Sequence, residues 1–294
     1  MRRNILIPLL SLLMAACAGE TDRAADDYAG RMAREHAGDT PDPTGIVRPP
    51  DIPVVTREVE YGVVEGRPVT GYLAEPANPD SVLRARGAAA GAGLPGLIVI
   101  HEWWGLNDNI RQMTAQLAGQ GYRALAVDLY GGRVTADPAE ARELVQAAMA
   151  QPETATANLK AAYAYLTGTE RAPRVAAIGW CFGGGMALNA ALALPAELDA
   201  VVIYYGRLVT DRDRLAALQM PVIGFFGGQD QGIPVETVRT FEETMNALGK
   251  NVTVHVYEAA DHAFANPSGT RYDAAAAEDA WARTLAFLER HLWG

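Results

Sequence analysis

Val175-Ala176-Ala177-Ile178-Gly179-Trp180-Cys181-Phe182-Gly183-Gly184-Gly185 decides how this chain is read. A short apolar run that breaks into glycine, one nucleophilic side chain and more glycine describes a strand entering a helix through a tight turn. The glycines stand where the turn and the new helix crowd the backbone. The residue between them, Cys181, is held out at the top of a sheet. A thiol so placed points to acyl transfer through a covalent thioester. A Gly-rich turn after a strand could instead cradle phosphate, but no Lys-Ser or Lys-Thr follows here.

Working outward, strands and helices alternate on both sides of that turn. Leu97–His101, Arg123–Asp128, Ala200–Tyr205 and Val222–Phe226 are short apolar runs suited to parallel strands buried on both faces. Val252–Tyr257 is a further strand. Helical patterns separate them at Asn107–Gly119, Pro138–Ala150, Glu153–Leu166, Gly183–Leu194, Val235–Leu248 and Ala274–Leu292. Ahead of these, Val54–Tyr61 and Val69–Leu73 read as a hairpin turning through Glu65-Gly66. Pro76–Pro95 reads as a loop. The alternation implies an α/β domain over residues 51–294, a mostly parallel sheet covered by helices, with an antiparallel hairpin at its start. Sites in such folds lie at the carboxyl ends of the strands.

A thiol nucleophile needs a base, and the base needs an orienting acid. Gly227-Gly228-Gln229-Asp230 follows one strand run, and Asp261-His262-Ala263-Phe264 follows the next. Of the five histidines, His36 falls in the N-terminal tether, His255 inside a strand and His291 on the last helix. His101 ends a strand ahead of the turn. His262 is therefore the expected base. Asp230 is the expected acid, because its rival Asp261 adjoins the histidine and has poor geometry for reaching its ring. The oxyanion needs two backbone N–H groups, expected from Phe182, just after the nucleophile, and from Trp103 in His101-Glu102-Trp103-Trp104-Gly105-Leu106-Asn107. An acidic Glu102 beside the thiol would raise the thiol pKa or accept its proton. No pair of histidines or cysteines stands at ligand spacing, so no metal is expected.

The first fifty residues read differently. Arg2 and Arg3 lead into Ile5–Met14, a run too short to span a bilayer, which is a signal-peptide layout. Leu13-Met14-Ala15-Ala16-Cys17 resembles the lipobox of bacterial lipoproteins. That resemblance implies cleavage after residue 16, lipid on Cys17, and a destination on the periplasmic side of the outer membrane. The alternative is ordinary cleavage and a free exported protein. Residues 17–50 read as a tether, with a helix within Asp22–His36. The only other cysteine is then Cys181, a lone thiol in an oxidising compartment. Net charge is −10, and loss of Arg2 and Arg3 takes it to −12. There is no basic cluster, so nucleic acid is a poor partner, and membrane contact is expected through the lipidated end alone.

Taken together, His101–Asn107 with Ile110-Arg111, Asp128-Leu129-Tyr130-Gly131, Gly179–Gly184, Gly228-Gln229-Asp230 and Asp261-His262-Ala263-Phe264 resemble the dienelactone hydrolase family. The resemblance runs from Val54 to the C-terminus. It implies an α/β-hydrolase fold without a large cap, no cofactor, and action on an ester, lactone or thioester; the oligomeric state is left open by the sequence, with a monomer favoured. It also implies a Cys181–Asp230–His262 triad and a regulatory role for Glu102. Two family arginines that grip a substrate carboxylate are not matched. One position reads Asn266, and Arg142 is a loose counterpart of the other. A lipid-anchored binding or scaffold protein on the same fold is the alternative.

Overall fold

The computed structural model describes residues 28–39 and 49–294; the signal run, Cys17 and residues 40–48 lie outside the described residues. β1 (Val54–Val64) and β2 (Arg67–Pro76) pair antiparallel. They turn through Glu65 and Gly66 with φ of 50° and 75°, the left-handed pair that a two-residue hairpin requires. β2 then runs antiparallel to β4 (Arg123–Val127). From there the sheet is parallel, through β3 (Gly96–Ile100), β5 (Val175–Trp180), β6 (Ala200–Tyr204), β7 (Val222–Gly227) and β8 (Val252–Tyr257). The order across the sheet is β1-β2-β4-β3-β5-β6-β7-β8. Every residue of β3, β5, β6 and β7 is buried, as continuous apolar runs require when helices cover both faces. This is the expected α/β-hydrolase architecture, hairpin included.

Two N-terminal stretches depart from expectation. The Pro76–Pro95 loop contains a helix, α2 (Pro79–Ala85), whose start is held by Asn78 Oδ1 accepting from Ser81 N–H at 3.0 Å. Asn at the N-cap followed by Pro in the first turn is a helix-start signal in its own right. The second departure matters more. The helix expected within Asp22–His36 is present over residues 28–35, as α1, but rather than hanging in a tether it packs on the domain. Tyr28, Ala29 and Met32 are buried in the same core as the sheet. Their spacing of one, three and four puts them on one helical face. Met32 reaches Gly232 so closely that a Cβ there would collide with its methyl carbon.

The remaining helices are α3 (Asp108–Gly119), α4 (Pro138–Met149), α5 (Pro152–Ala164), α6 (Phe182–Ala193), α7 (Arg212–Ala216), α8 (Val235–Ala247) and α9 (Ala274–Leu288). Among the described residues no helix is long and apolar enough to cross a membrane.

Candidate active site

Cys181 stands between β5 and α6 with φ 55° and ψ −119°. A non-glycine residue there costs of order 1–3 kcal/mol and persists only where its surroundings over-determine it. They do so here. Its N–H donates to Tyr204 O at 3.0 Å, and its carbonyl accepts from Gly184 and Gly185 at 3.0 and 3.3 Å. The turn closes because its flanks lack side chains. A Cβ on Gly179 would enter the Gly183 carbonyl, and one on Gly183 would enter the carbonyls of Ile100 and His101. That second contact lays the turn against the loop after β3, the loop that carries Glu102 and Trp103.

The same loop is anchored by His101, whose two ring nitrogens are both engaged. Nε2 accepts from Leu129 N–H at 3.2 Å, which leaves Nδ1 to donate to Glu102 O at 2.6 Å. Burial holds this imidazole below its ordinary pKa. His101 is thus a neutral strut that joins two strand ends. Arg142 lies exposed on α4.

Asp230 follows β7 and His262 follows β8. Asp230 Oδ2 accepts from His262 Nδ1 at 2.7 Å, and both side chains are fully buried. Asp230 Oδ1 accepts from the N–H groups of Gly232 and Ile233, each at 2.8 Å, which fixes the carboxylate's orientation. Asp261 accepts from the backbone N–H of His262 at 2.6 Å and shares a hydrogen bond with the Glu35 carboxyl; it makes no hydrogen bond to the His262 ring, as expected of an adjacent residue. With Nδ1 engaged, His262 Nε2 is left facing the thiol side, buried and without a hydrogen-bond partner among the described residues. One donor atom each of His36, Cys181 and His262 lie within 4.8 Å of one another.

His36 is the residue that sequence reasoning set aside. It stands just beyond α1, 2% exposed, with Nε2 3.9 Å from Cys181 Sγ. Its ring stacks on Trp103 at 4.3 Å between centroids and meets His262 edge-on at 5.2 Å. Its Nδ1 donates to Asp39 Oδ2 at 2.6 Å. Asp39 also accepts from Arg271 Nη2 at 2.9 Å and Thr270 Oγ1 at 2.7 Å. Burial opposes the Asp39 carboxylate, but the bonds from His36 and Thr270 outweigh it and keep its pKa below the usual range. Arg271 Nη1 donates to the carbonyl of Glu35, a second tie to the helix end. The thiol therefore sits between two carboxylate-backed imidazoles.

Electrostatics in this pocket separate the two expectations for Glu102, that it raise the thiol pKa or that it take up a proton, in favour of the second. Burial pushes the Cys181 thiol up, but the positive charge and close approach of His262, and then of His36, pull it down to about 6. Burial likewise opposes charge on His262, yet Asp230 and the thiolate carry its pKa well above 6.5. Glu102 is 3% exposed, and burial followed by the Cys181 charge raises its carboxyl to about 8. Near neutral pH the pocket holds a thiolate, an imidazolium and an uncharged Glu102. The carboxyl does not push the thiol up; the thiolate pushes the carboxyl up.

Asn266 is committed within the protein. Its Nδ2 donates to Glu102 Oε2 at 2.5 Å, and its Oδ1 accepts from Ser268 N–H and Oγ, both at 2.9 Å. Phe182 opens α6, where an amide has no carbonyl one turn back. Trp103 is fully buried against His36 and Trp104.

The dienelactone hydrolase family model matches residues 82–292. A provisionally named carboxymethylenebutenolidase of Escherichia coli K12 is 31% identical over 76% of this chain and 88% of its own. Its counterpart in Methylorubrum extorquens is 34% identical over 69% and 74%. The crystal structure of a provisionally named dienelactone hydrolase from Klebsiella pneumoniae superposes with a TM-score of 0.69 and 28% identity. That superposition covers 81% of this chain and 99% of the other.

Proposed function

The chain belongs to the dienelactone hydrolase family, is a carboxylic ester hydrolase, and from that premise we propose the residue roles and the setting in which it works. The observation that carries the reading is Cys181 on its strained turn beside the buried His262–Asp230 pair. The Cys181 thiolate attacks the carbonyl carbon of an ester or lactone, and the carbonyl electrons move onto oxygen. The amides of Phe182 and Trp103 receive that oxyanion. On collapse, the C–O bond to the leaving alkoxide breaks and His262 supplies the proton it takes. Neutral His262 then draws a proton from water, which attacks the thioester and releases the acid and the thiolate. Asp230 keeps the His262 ring oriented and steadies its positive form.

Glu102, protonated and held by Asn266, keeps negative charge away from the thiolate in the resting pocket. Because Asn266 is committed to Glu102 and Ser268, it offers no charge to a substrate carboxylate, and the favoured substrate is a small ester or lactone bound chiefly by its reacting end. The N-terminal run supports an exported lipoprotein anchored through Cys17. Substitution of Cys17 by alanine should move the protein from the membrane fraction to the soluble one; continued membrane retention would remove the lipid anchor from this account.

The test of function is the initial rate of ring opening of a dienelactone, and of a neutral aryl ester, by the purified chain beside its Cys181→Ala variant. Turnover of either substrate that vanishes in the variant supports the roles given. Turnover that survives Cys181→Ala but not His262→Ala would remove the thioester.

A further inference from the structure

The triad explains one imidazole at Cys181 and leaves the other without a task. His36 and His262 are both buried, and both carry a carboxylate on Nδ1, Asp39 at 2.6 Å and Asp230 at 2.7 Å. With Nδ1 committed to a carboxylate, Nε2 is the one ring nitrogen each can turn to an ion. That arrangement, an imidazole tied by a carboxylate and open at its other nitrogen, orients histidines on metal ions and raises their basicity. His36 Nε2 lies 3.9 Å from Cys181 Sγ. His262 Nε2 is buried with no hydrogen-bond partner among the described residues, and one donor atom from each of the three residues falls within 4.8 Å of the others.

We propose that Cys181, His262 and His36 form a three-ligand site for a thiophilic divalent ion of the zinc type, which silences the hydrolase while bound. One thiolate and two neutral imidazoles are a common donor set for such an ion, with a fourth position left open. With metal–sulfur near 2.3 Å and metal–nitrogen near 2.0–2.1 Å, a tetrahedral site needs sulfur and nitrogen about 3.6 Å apart. The Cys181–His36 pair is within a few tenths of an ångström of that, and the whole set contracts on binding. The single proton shared by Cys181 and His262 leaves to solvent as the ion enters. Both the attacking sulfur and the base nitrogen are then used up, so ion and substrate exclude each other. The role of Cys181 and His262 in hydrolysis rests on the function proposed above, but binding of the ion does not require turnover.

The test uses the full chain in detergent, stripped with a chelator and titrated with Co2+. The expected result is a thiolate-to-cobalt charge-transfer band and the visible bands of a tetrahedral ion, saturating at one equivalent. The band should be lost in Cys181→Ser, and the affinity should fall by about tenfold or more in His36→Ala, His36→Gln and Asp39→Asn. Stoichiometric Zn2+ should stop ester hydrolysis by the wild-type chain, reversed by chelator. No band in the wild-type chain overturns the proposal, and so does equal affinity in folded His36→Gln, because the site would then lack its third ligand. Co2+ binding without any hydrolysis would instead overturn the proposed function and leave the ion site standing.

Discussion

The two imidazoles at Cys181 come from opposite ends of the chain and are held in different ways. His262–Asp230 sits on loops that leave adjacent parallel strands, and neither side chain has any solvent exposure. Two backbone amides fix the acid. His36–Asp39 follows a short helix laid on the outside of the sheet, and its acid keeps 13% of its side chain exposed. Its ties to the domain run through two side chains, Arg271 and Thr270. The sheet loops hold their acid through backbone amides, whereas the pair after α1 is held through side chains. Chemistry belongs on the first and adjustment on the second.

Breaking the sheet-borne half has the largest expected effect. Cys181→Ala should lower ester hydrolysis by about 10⁴-fold or more, and His262→Ala by a comparable factor, since the two act as a unit. Asp230→Asn should cost roughly 10²–10⁴-fold in kcat while the ring stays in place with the wrong tautomer favoured; steady-state kinetics on one aryl ester checks all three. If Asp39→Asn cost as much as Asp230→Asn, the division of labour between the two pairs would be wrong.

The thiolate sharpens the contrast. Its absorbance, taken as wild type minus Cys181→Ser in the presence of chelator, should appear as pH rises through about 6, against roughly 8.5 for an ordinary thiol. His36 contributes to that lowering, so His36→Ala should move the inflection upwards and reduce the rate at pH 6 by about tenfold or less, with a smaller loss at pH 9. An unmoved inflection would show that His262 alone holds the thiolate.

Glu102 carries a stability signature of definite sign. The fold raises its carboxyl from 4.5 to about 8, so folding favours the protonated form. Its contribution is therefore full below the ordinary carboxylate range and is lost as pH rises towards 8. Glu102→Gln should melt progressively higher than wild type between pH 5 and 8, and the gap should level off above that. A gap independent of pH would mean the carboxyl is not held protonated. The smallest effect is expected at the tether end. Asp39→Asn loosens α1, and trypsin cleavage at Arg31 or Arg34 should quicken by about threefold, as loss of a partly buried ion pair implies.

Most of the fold was legible along the chain because its signals are local. The runs at Leu97–His101, Ala200–Tyr205 and Val222–Phe226 became β3, β6 and β7 almost to the residue, since a parallel strand covered on both faces needs an unbroken apolar segment. Cys181 was legible from its own neighbours, and Asp230 and His262 from their places just past strands. α2 was hidden by the weight given to alanine and glycine over the Asn78-Pro79 start signal. His36 was misjudged for another reason. It lies 145 residues from the thiol it meets, and its helix is short. One signal was present: Tyr28, Met32 and His36 recur at intervals of four, one face of a helix.

The sequence by itself determined the alternation of strands and helices and the places of Cys181, Asp230 and His262 just past strands, because each depends on residues within one turn or one strand of it. Only the tertiary structure decided that a second imidazole stands over the thiol, that Asn266 is tied to Glu102, and which of two neighbouring acids holds its proton. Those are facts about distance and desolvation in a shared pocket. Charges placed together in a buried pocket set one another's ionisation, and no local pattern records which groups will meet there.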